Sequence, residues 1–459
     1  MKKLTLILVV FTALLISVSF VFNFLNITNA KLYTAQQLAI EEEKAAAAAK
    51  AQEEAAKLSE EEGFELPSYY NAADIGKASI GHDQGELGAC WAFAALTSLE
   101  GYFLPAESLD FSEDHMLYNN AFDLPVEDGG DYIMAVAYLS SWTGPVAEAD
   151  DPYNDGQTNA SAAAIKHVQD VMFINGKDYE SIKKCVYKYG AVESSIFISV
   201  DENMYIDNTY YNPDKNTYCY LGDYEANHEI VIIGWDDSFP AENFYTKIDG
   251  DGAFICMNSW GSDFGDNGIF YVSYYDSRIG DIAEAYSRVD GVDNYDNIYQ
   301  YDECGWVGRI GFDDPKAYFA NVFTASSSEL LRAVSFYATG DDTSYTVYVC
   351  NDFDGTTKMF RDPSVYASGH FDKAGYYTVD LDTPVEIEAG EKFAVIVKVT
   401  TTGSNHPVAI EMNAGDGRTD NVTTEGKESY VSADGWNWER TQEESQCNVC
   451  LKAFTDNVE

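Results

Sequence analysis

Cys90, His228 and Asn258 are residue types that together make an acyl-transfer site: a thiol nucleophile, an imidazole base and a carboxamide to orient the base. Cys90 lies in "DQGELGACWAFAALTSLE", residues 83–100, at the start of a predicted helix. Phe93, Leu96 and Phe103 follow at helical spacing, with Ala92, Ala94 and Ala95 among them. A cysteine there is either a small core residue or a nucleophile whose thiolate the positive helix end favours. The second reading requires a base, and the chain has six histidines. His82 sits in the loop entering the helix, His115 in "FSEDHMLYNN", and His167 in a polar run that reads as helical. His370 and His406 belong to a β-rich region. His228 opens the apolar strand "NHEIVIIGW", where a ring is held rigidly. Asn258 follows in "FICMNSWGSDFGDNGIFYVSYYD". Cys90 precedes His228 by 138 positions and Asn258 by 168, the longer gap including an acidic loop from Asp236 to Gly252.

Two kinds of segment must position these residues. Between residue 64 and about 290, helical and strand patterns mix. "AVESSIFIS", "HEIVIIGW", "GAFICMNSW" and "GIFYVSYYD" read as strands, and 182–189 as a helix, which predicts an α+β domain. After the polar connection "DGVDNYDN" nearly everything is strand: "LLRAVSFYA", "SYTVYVCN", "GYYTVDL", "EKFAVIVKVT", "PVAIEM" and "ESYVSADGW". Short alternating strands separated by turns predict an all-β sandwich over 291–459.

The chain has 459 residues, enough for several cored domains, and 46% of them are hydrophobic. Its 76 acidic against 28 basic residues give a formal charge of -48, a field that repels nucleic acid and excludes it as an expected partner. Lys2 and Lys3 precede an uncharged stretch from Leu4 to Leu25, and Thr28-Asn29-Ala30 offers a small-residue cleavage site. Residues 1–30 are therefore expected to be a signal peptide or an N-terminal membrane anchor, with 4–25 as the anchoring stretch. Either outcome leaves the remainder outside the cytoplasm. Residues 31–63, rich in Ala, Glu and Lys without a wide apolar stripe, read as a helical stalk or leader. The eight cysteines are scattered, and the lone C-x-x-C of Cys447 and Cys450 lacks partners for zinc, so most thiols are expected to be structural.

Residues 64–290 resemble the papain family (C1) of cysteine peptidases. "LPSYYNAADIGKASIGHDQGELGACWAF", "FSEDHMLYNN", "EDGGDY", "DDPY", "NHEIVIIGW" and "NSWGSDFGDNGIFYV" carry the likeness in the family's order. The resemblance implies a two-lobed fold, a helical lobe beside a β-barrel-like lobe. It implies catalysis by Cys90, His228 and Asn258, with an oxyanion hole from the Gln84 amide and the Cys90 N–H. Trp260 would shield the Asn258–His228 bond. Gly129 and Gly130 would let a substrate strand pair with backbone, and Glu229 would line the pocket for the second residue before the cleaved bond, favouring a basic or polar side chain there. The implied partner is a protein or peptide substrate, and no cofactor is required. Leu87 stands where the family often has cysteine, Phe264 where a second tryptophan is usual, and Asn227 where aspartate is common. The 33 residues of 31–63 leave no room for the long inhibitory pro-region of eukaryotic members.

Residues 291–459 are similar to lectin-like domains that follow such peptidase domains in bacterial surface proteins, which implies attachment to a cell-wall or surface glycan. Tyr430, Trp436 and Trp438 are either a sugar-stacking platform or core, core being favoured. The loop Asp352–Asp354 could hold calcium, although solvated charge is the preferred reading. The expected protein is thus an exported cysteine endopeptidase at the cell surface. Its rivals are a catalytically inactive adhesion or carbohydrate-binding protein on the same scaffold, and an acyl transferase of transglutaminase type, which would have an acid in place of Asn258.

Overall fold

The computed structural model describes residues 64–458, apart from positions 80, 201–205, 207 and 362. The expected signal or anchor over 1–30 and the stalk over 31–63 lie outside the described residues. Among the described residues, no helix is long and apolar enough to cross a membrane.

Alanine at alternate turns lets the first long helix, α1 (Cys90–Phe103), sit between layers with almost every side chain buried. Three shorter helices carry polar caps that fix their starts. Ser112 accepts from His115 N at the head of α2 (Glu113–Asn119), Asp131 from Ile133 N and Met134 N at α3 (Tyr132–Ser140), and Asp178 from Ser181 N at α4 (Tyr179–Tyr189). The strands of this part are β1 (Tyr69–Asn71), β2 (His167–Asn175), β3 (Val192–Ile196), β4 (Tyr211–Asn212), β5 (Thr217–Tyr218), β6 (His228–Asp236), β7 (Ala253–Met257), β8 (Ile269–Ser273) and β9 (Ile282–Asp290). The run at His167 is thus a strand and not the helix its polarity suggests. It pairs with β9 along its whole length, and that pairing outweighs local composition.

Two apolar cores divide this part into two lobes. One surrounds Trp91, Leu96, Met134 and Tyr138 on α1 and α3. The other surrounds Ile182, Val192, Ile232, Trp235, Phe254 and Phe270 on α4 and the strands. Each such large side chain, once buried, contributes about 1.5–3 kcal/mol.

Beyond residue 296 come β10 (Asn297–Tyr299), β11 (Gly308–Ile310), β12 (Lys316–Thr324), β13 (Glu329–Ala338), β14 (Thr343–Cys350), β15 (Ser364–Phe371), β16 (Ala374–Ile387), β17 (Lys392–Thr401), β18 (Val408–Met412), β19 (Ser429–Ser432), β20 (Glu439–Arg440), β21 (Cys447–Val449) and β22 (Leu451–Asn457). A six-stranded sheet, β15-β14-β17-β12-β19-β20, packs its Phe319, Phe323, Val395 and Val397 against Val334, Phe336 and Leu451 of β13 and β22. This is the sandwich that alternation predicts. Sequence did not indicate where its second sheet ends. The order β10-β22-β13-β16-β2-β9-β3-β6-β7-β8-β5-β4 runs unbroken into the α/β part, joined where Gly375 lies opposite Met172 and Tyr376 opposite Val171.

Tyr430 is buried in the core, Trp438 is partly buried and packs edge-on to Phe360 at 5.0 Å, and Trp436 is half exposed. All eight cysteines are free, seven of them buried.

Candidate active site

Helix α1 begins at Cys90 because Gly88 and Ala89 leave room for a tight entry, and its N-cap, Ala89, offers no side chain to its first N–H groups. No acid occupies that first turn, so the partial positive charge of the helix end faces whatever lies beside the sulfur. Cys90 keeps part of its surface open. The backbone N–H groups of Trp91 and Glu229 both point at it. Glu229 is the second residue of β6, so the strand start carrying His228 abuts the thiol.

His228 and Asn258 are both buried. Asn258 follows β7, which pairs with β6 through Val231 and Met257, and this register sets the amide beside the ring. His228 Nε2 lies 2.7 Å from Asn258 Oδ1, which also accepts from Ser259 N at 2.9 Å. The Ser259 N–H can only donate, so it fixes which end of the amide is oxygen. Nε2 of His228 must then carry a proton, which leaves Nδ1 as the ring's basic atom. The Trp260 ring stands 5.1 Å from the imidazole and is braced edge-on by Phe264 at 5.2 Å. Asn227, the residue before the histidine, pins the chain beyond β3 through both atoms of its amide to Ile198.

Burial pushes the Cys90 thiol up to about 12, helped by the carboxylates of Glu229 and Glu193 and opposed by the two N–H groups. Burial also lowers His228 to about 4, against the hydrogen bond its ring donates to Asn258. Burial thus disfavours both a lone thiolate at Cys90 and a lone imidazolium at His228. Moving the proton from sulfur to ring creates an ion pair without changing the net charge, and buried surroundings resist either charge forming alone.

Gln84 is held from three sides. Its N–H donates to Ser259 O at 2.8 Å, Ser259 Oγ donates to its Oε1 at 2.5 Å, and Tyr153 OH donates to its carbonyl at 2.7 Å. Its Nε2 donates to Leu87 O at 2.8 Å, and the second amide hydrogen is available for a ligand. Gly129 has φ 78° and lies against Gly88, while a Cβ on Gly130 would fall 2.6 Å from the Trp91 ring. The glycine at 130 is thus required by Trp91 packing as well as by any passing strand. The Glu229 carboxylate accepts from Ser195 Oγ.

Sequence reading missed three features around these residues. Glu193 and Glu284 are buried beside Glu229. Their signal was a single acid inside the apolar strands "AVESSIFIS" and "DIAEAYS". Asp131 is bound by Arg418 from the β-rich part. Behind α1, His82 Nε2 lies 3.2 Å from the buried Glu100 carboxylate. Among the described residues, no group of three histidine, cysteine or acidic side chains could hold a metal ion.

Residues 66–288 match the papain family cysteine protease pattern and residues 298–455 the lectin-like domain. Among solved structures, the chain is similar to the Clostridial cysteine protease Cwp84 after propeptide cleavage. Identity is 27% and the TM-score 0.75, covering 85% of this chain and 100% of that one. The cysteine protease and lectin-like domains of Cwp84, described as a surface layer associated protein of Clostridium difficile, give 28% identity and a TM-score of 0.72 over 86% of this chain and 90% of that one. The viral cathepsin of Heliothis zea nuclear polyhedrosis virus is 29% identical over 215 residues, 45% of this chain and 52% of the relative. Cysteine proteinase 1 of Entamoeba histolytica is 29% identical over 202 residues, 42% of this chain and 59% of the relative. The chain spans about half the length of the curated relatives it matches. Residues 66–288 are a papain family cysteine protease domain, and residues 298–455 are a lectin-like domain joined to it.

Proposed function

We propose that this protein is an exported, surface-located cysteine endopeptidase that cleaves peptide bonds through Cys90, His228 and Asn258. The observation that carries the reading is the hydrogen bond from His228 Nε2 to Asn258 Oδ1, which leaves Nδ1 free to take the thiol proton. Cys90 Sγ attacks the scissile carbonyl as its proton passes to His228. The oxyanion is met by the Cys90 N–H and the free hydrogen of Gln84 Nε2. The imidazolium then protonates the leaving amine as the C–N bond breaks, giving a thioester. Water, deprotonated by His228, hydrolyses that thioester and restores the thiol.

Surface location is supported by the likeness to Cwp84 and by the uncharged stretch 4–25. Glycan attachment is supported by the lectin-like domain, where half-exposed Trp436 joins Tyr318 and Trp438 around a cavity of about 260 Å³. The test is hydrolysis of a mixed peptide library by the full chain, read by mass spectrometry. Cleavage that vanishes in Cys90→Ala supports the reading. Cleavage unchanged in that variant, or none by the wild type, refutes it.

A further inference from the structure

Between α2 and α3 lies a connection, residues 120–131, that carries Gly129 and Gly130 past the candidate nucleophile. Apart from one 3-10 turn, Val126–Asp128, it belongs to no helix or sheet, so no regular hydrogen-bond ladder fixes its course. Gly88, two positions before Cys90, lies so close that a Cβ on it would fall 3.1 Å from Gly129 Cα. Gly130 presses on the Trp91 ring. A shift of this connection is therefore felt beside the sulfur. Among the described residues, neither the N–H nor the carbonyl of Gly130 has a hydrogen-bond partner, which leaves both open to a ligand strand.

The grip on this connection comes from outside the peptidase domain. The loop between β18 and β19, in the lectin-like domain, reaches it at Arg418. The Arg418 carbonyl accepts from Asp123 N at 2.9 Å, and its guanidinium lies over the buried Phe122 ring at 5.2 Å. Its Nη2 donates to Asp131 Oδ1 at 2.5 Å. Cys304 adds a fourth contact, its Sγ donating to Ala121 O at 3.5 Å. Residues of the lectin-like domain thus hold both ends of the connection. The loop is itself anchored: Thr419, 1% exposed, accepts from Ala414 N, and the Asn448 amide of β21 donates to Thr423 O. Asp131 Oδ1 also accepts from Ile133 N and Met134 N, so α3 has its cap without the arginine. What Arg418 adds is position. Its Nε is buried with no acceptor, a desolvation cost that the contact sustains.

We propose that Arg418 is a positioning residue for the peptidase cleft: from the lectin-like domain it sets Gly129 and Gly130 where a peptide strand pairs with their backbone. The proposal rests on the peptidase reading. Arg418 touches no substrate and acts through Phe122, Asp123 and Asp131. The affinity of the cleft for a peptide thereby depends on the docked lectin-like domain, while the thiol, imidazole and carboxamide stay in place.

The test uses the full-length chain and a library peptide chosen because the Cys90→Ala protein retains it. Calorimetry is expected to find that peptide bound about 10-fold more weakly once Arg418→Met is added, the size of one lost backbone hydrogen bond. Arg418→Lys keeps a charge for Asp131 and recovers binding to within about 3-fold. Asp131→Asn preserves the helix cap, so that variant folds, and it gives the same loss as Arg418→Met. Joining the two adds no more than about 2-fold, because both break one contact. With Cys90 intact, Arg418→Met raises KM about 10-fold and leaves kcat within about 2-fold, whereas a general loosening of the fold lowers kcat as well. No retained peptide, binding unchanged by Arg418→Met, losses that multiply in the double variant, or a fall in kcat with KM unchanged overturns the proposal. Cleavage of the same peptide separates the two readings. Arg418-dependent binding of a peptide that is never cut sinks the peptidase reading alone, and cutting with a KM indifferent to Arg418→Met sinks the positioning role alone.

Discussion

The pair of partly buried His82 and buried Glu100 gives stability a pH dependence that can be worked out in sign and size. His82 enters the loop that carries Gln84, and Glu100, 0% exposed on α1, also accepts from Phe111 N. Burial alone would lower the imidazole, but the Glu100 carboxylate outweighs it and holds His82 at about 9, against 6.5 for the free group. Below pH 6.5 both folded and unfolded chains carry the proton, and the pair contributes fully. Between 6.5 and about 9 the unfolded chain loses the proton first, so the contribution shrinks. Above about 9 it is gone. The gap corresponds to about 3 kcal/mol. Glu113, which burial pushes up to about 8, titrates in the same window, so the comparison belongs in a Glu113→Gln background. Self-repulsion from the net charge of -48 grows with pH in both proteins and cancels in the difference. Chemical denaturation of the background protein and its His82→Gln derivative, at about pH 6 and about pH 10, should give a stability gap that narrows by up to about 3 kcal/mol, the part of the rise due to Glu113 being absent in this background. A gap of constant size would refute the ion pair as the cause.

Other perturbations have equally definite outcomes. Gly130→Ala drives a methyl into the Trp91 ring and should destabilise by about 1–3 kcal/mol, visible as a lowered melting temperature; an unchanged one contradicts the contact. Gln84→Ala should reduce kcat about 10²–10³-fold with little change in KM, measured on any peptide the library assay identifies; a loss confined to KM would move Gln84 out of the oxyanion hole. Lys452→Met strands Asp302, its partner at 2.9 Å, with both side chains 1% exposed, and should cost about 3–5 kcal/mol of lectin-like domain stability by denaturation; a neutral effect would show Asp302 content without it.

Much of this arrangement was legible in the residues. "NHEIVIIGW" marked a strand whose first residue is held rigidly, and "CWAFAALTSLE" marked a helix start, because both patterns act over a few neighbours. The alternating strands beyond residue 296 gave the sandwich for the same reason. What stayed hidden depends on partners distant in the chain. His167 read as helical because only its pairing with β9 makes it a strand. The junction of β16 with β2 follows from the docking of two sheet edges, which no local pattern encodes. Glu193 and Glu284 look like ordinary solvated acids until the register sets them face to face. The need for glycine at 130 comes from the Trp91 ring.

The central claim is that the sulfur of Cys90 is activated by the imidazole of His228. Treating the folded full-length protein with a thiol-directed epoxide and locating the adduct by peptide mass spectrometry tests it most directly. The account predicts modification at Cys90, none at the seven buried cysteines, and loss of the adduct in His228→Ala. An unmodified Cys90, or one that reacts equally fast without the imidazole, would contradict it.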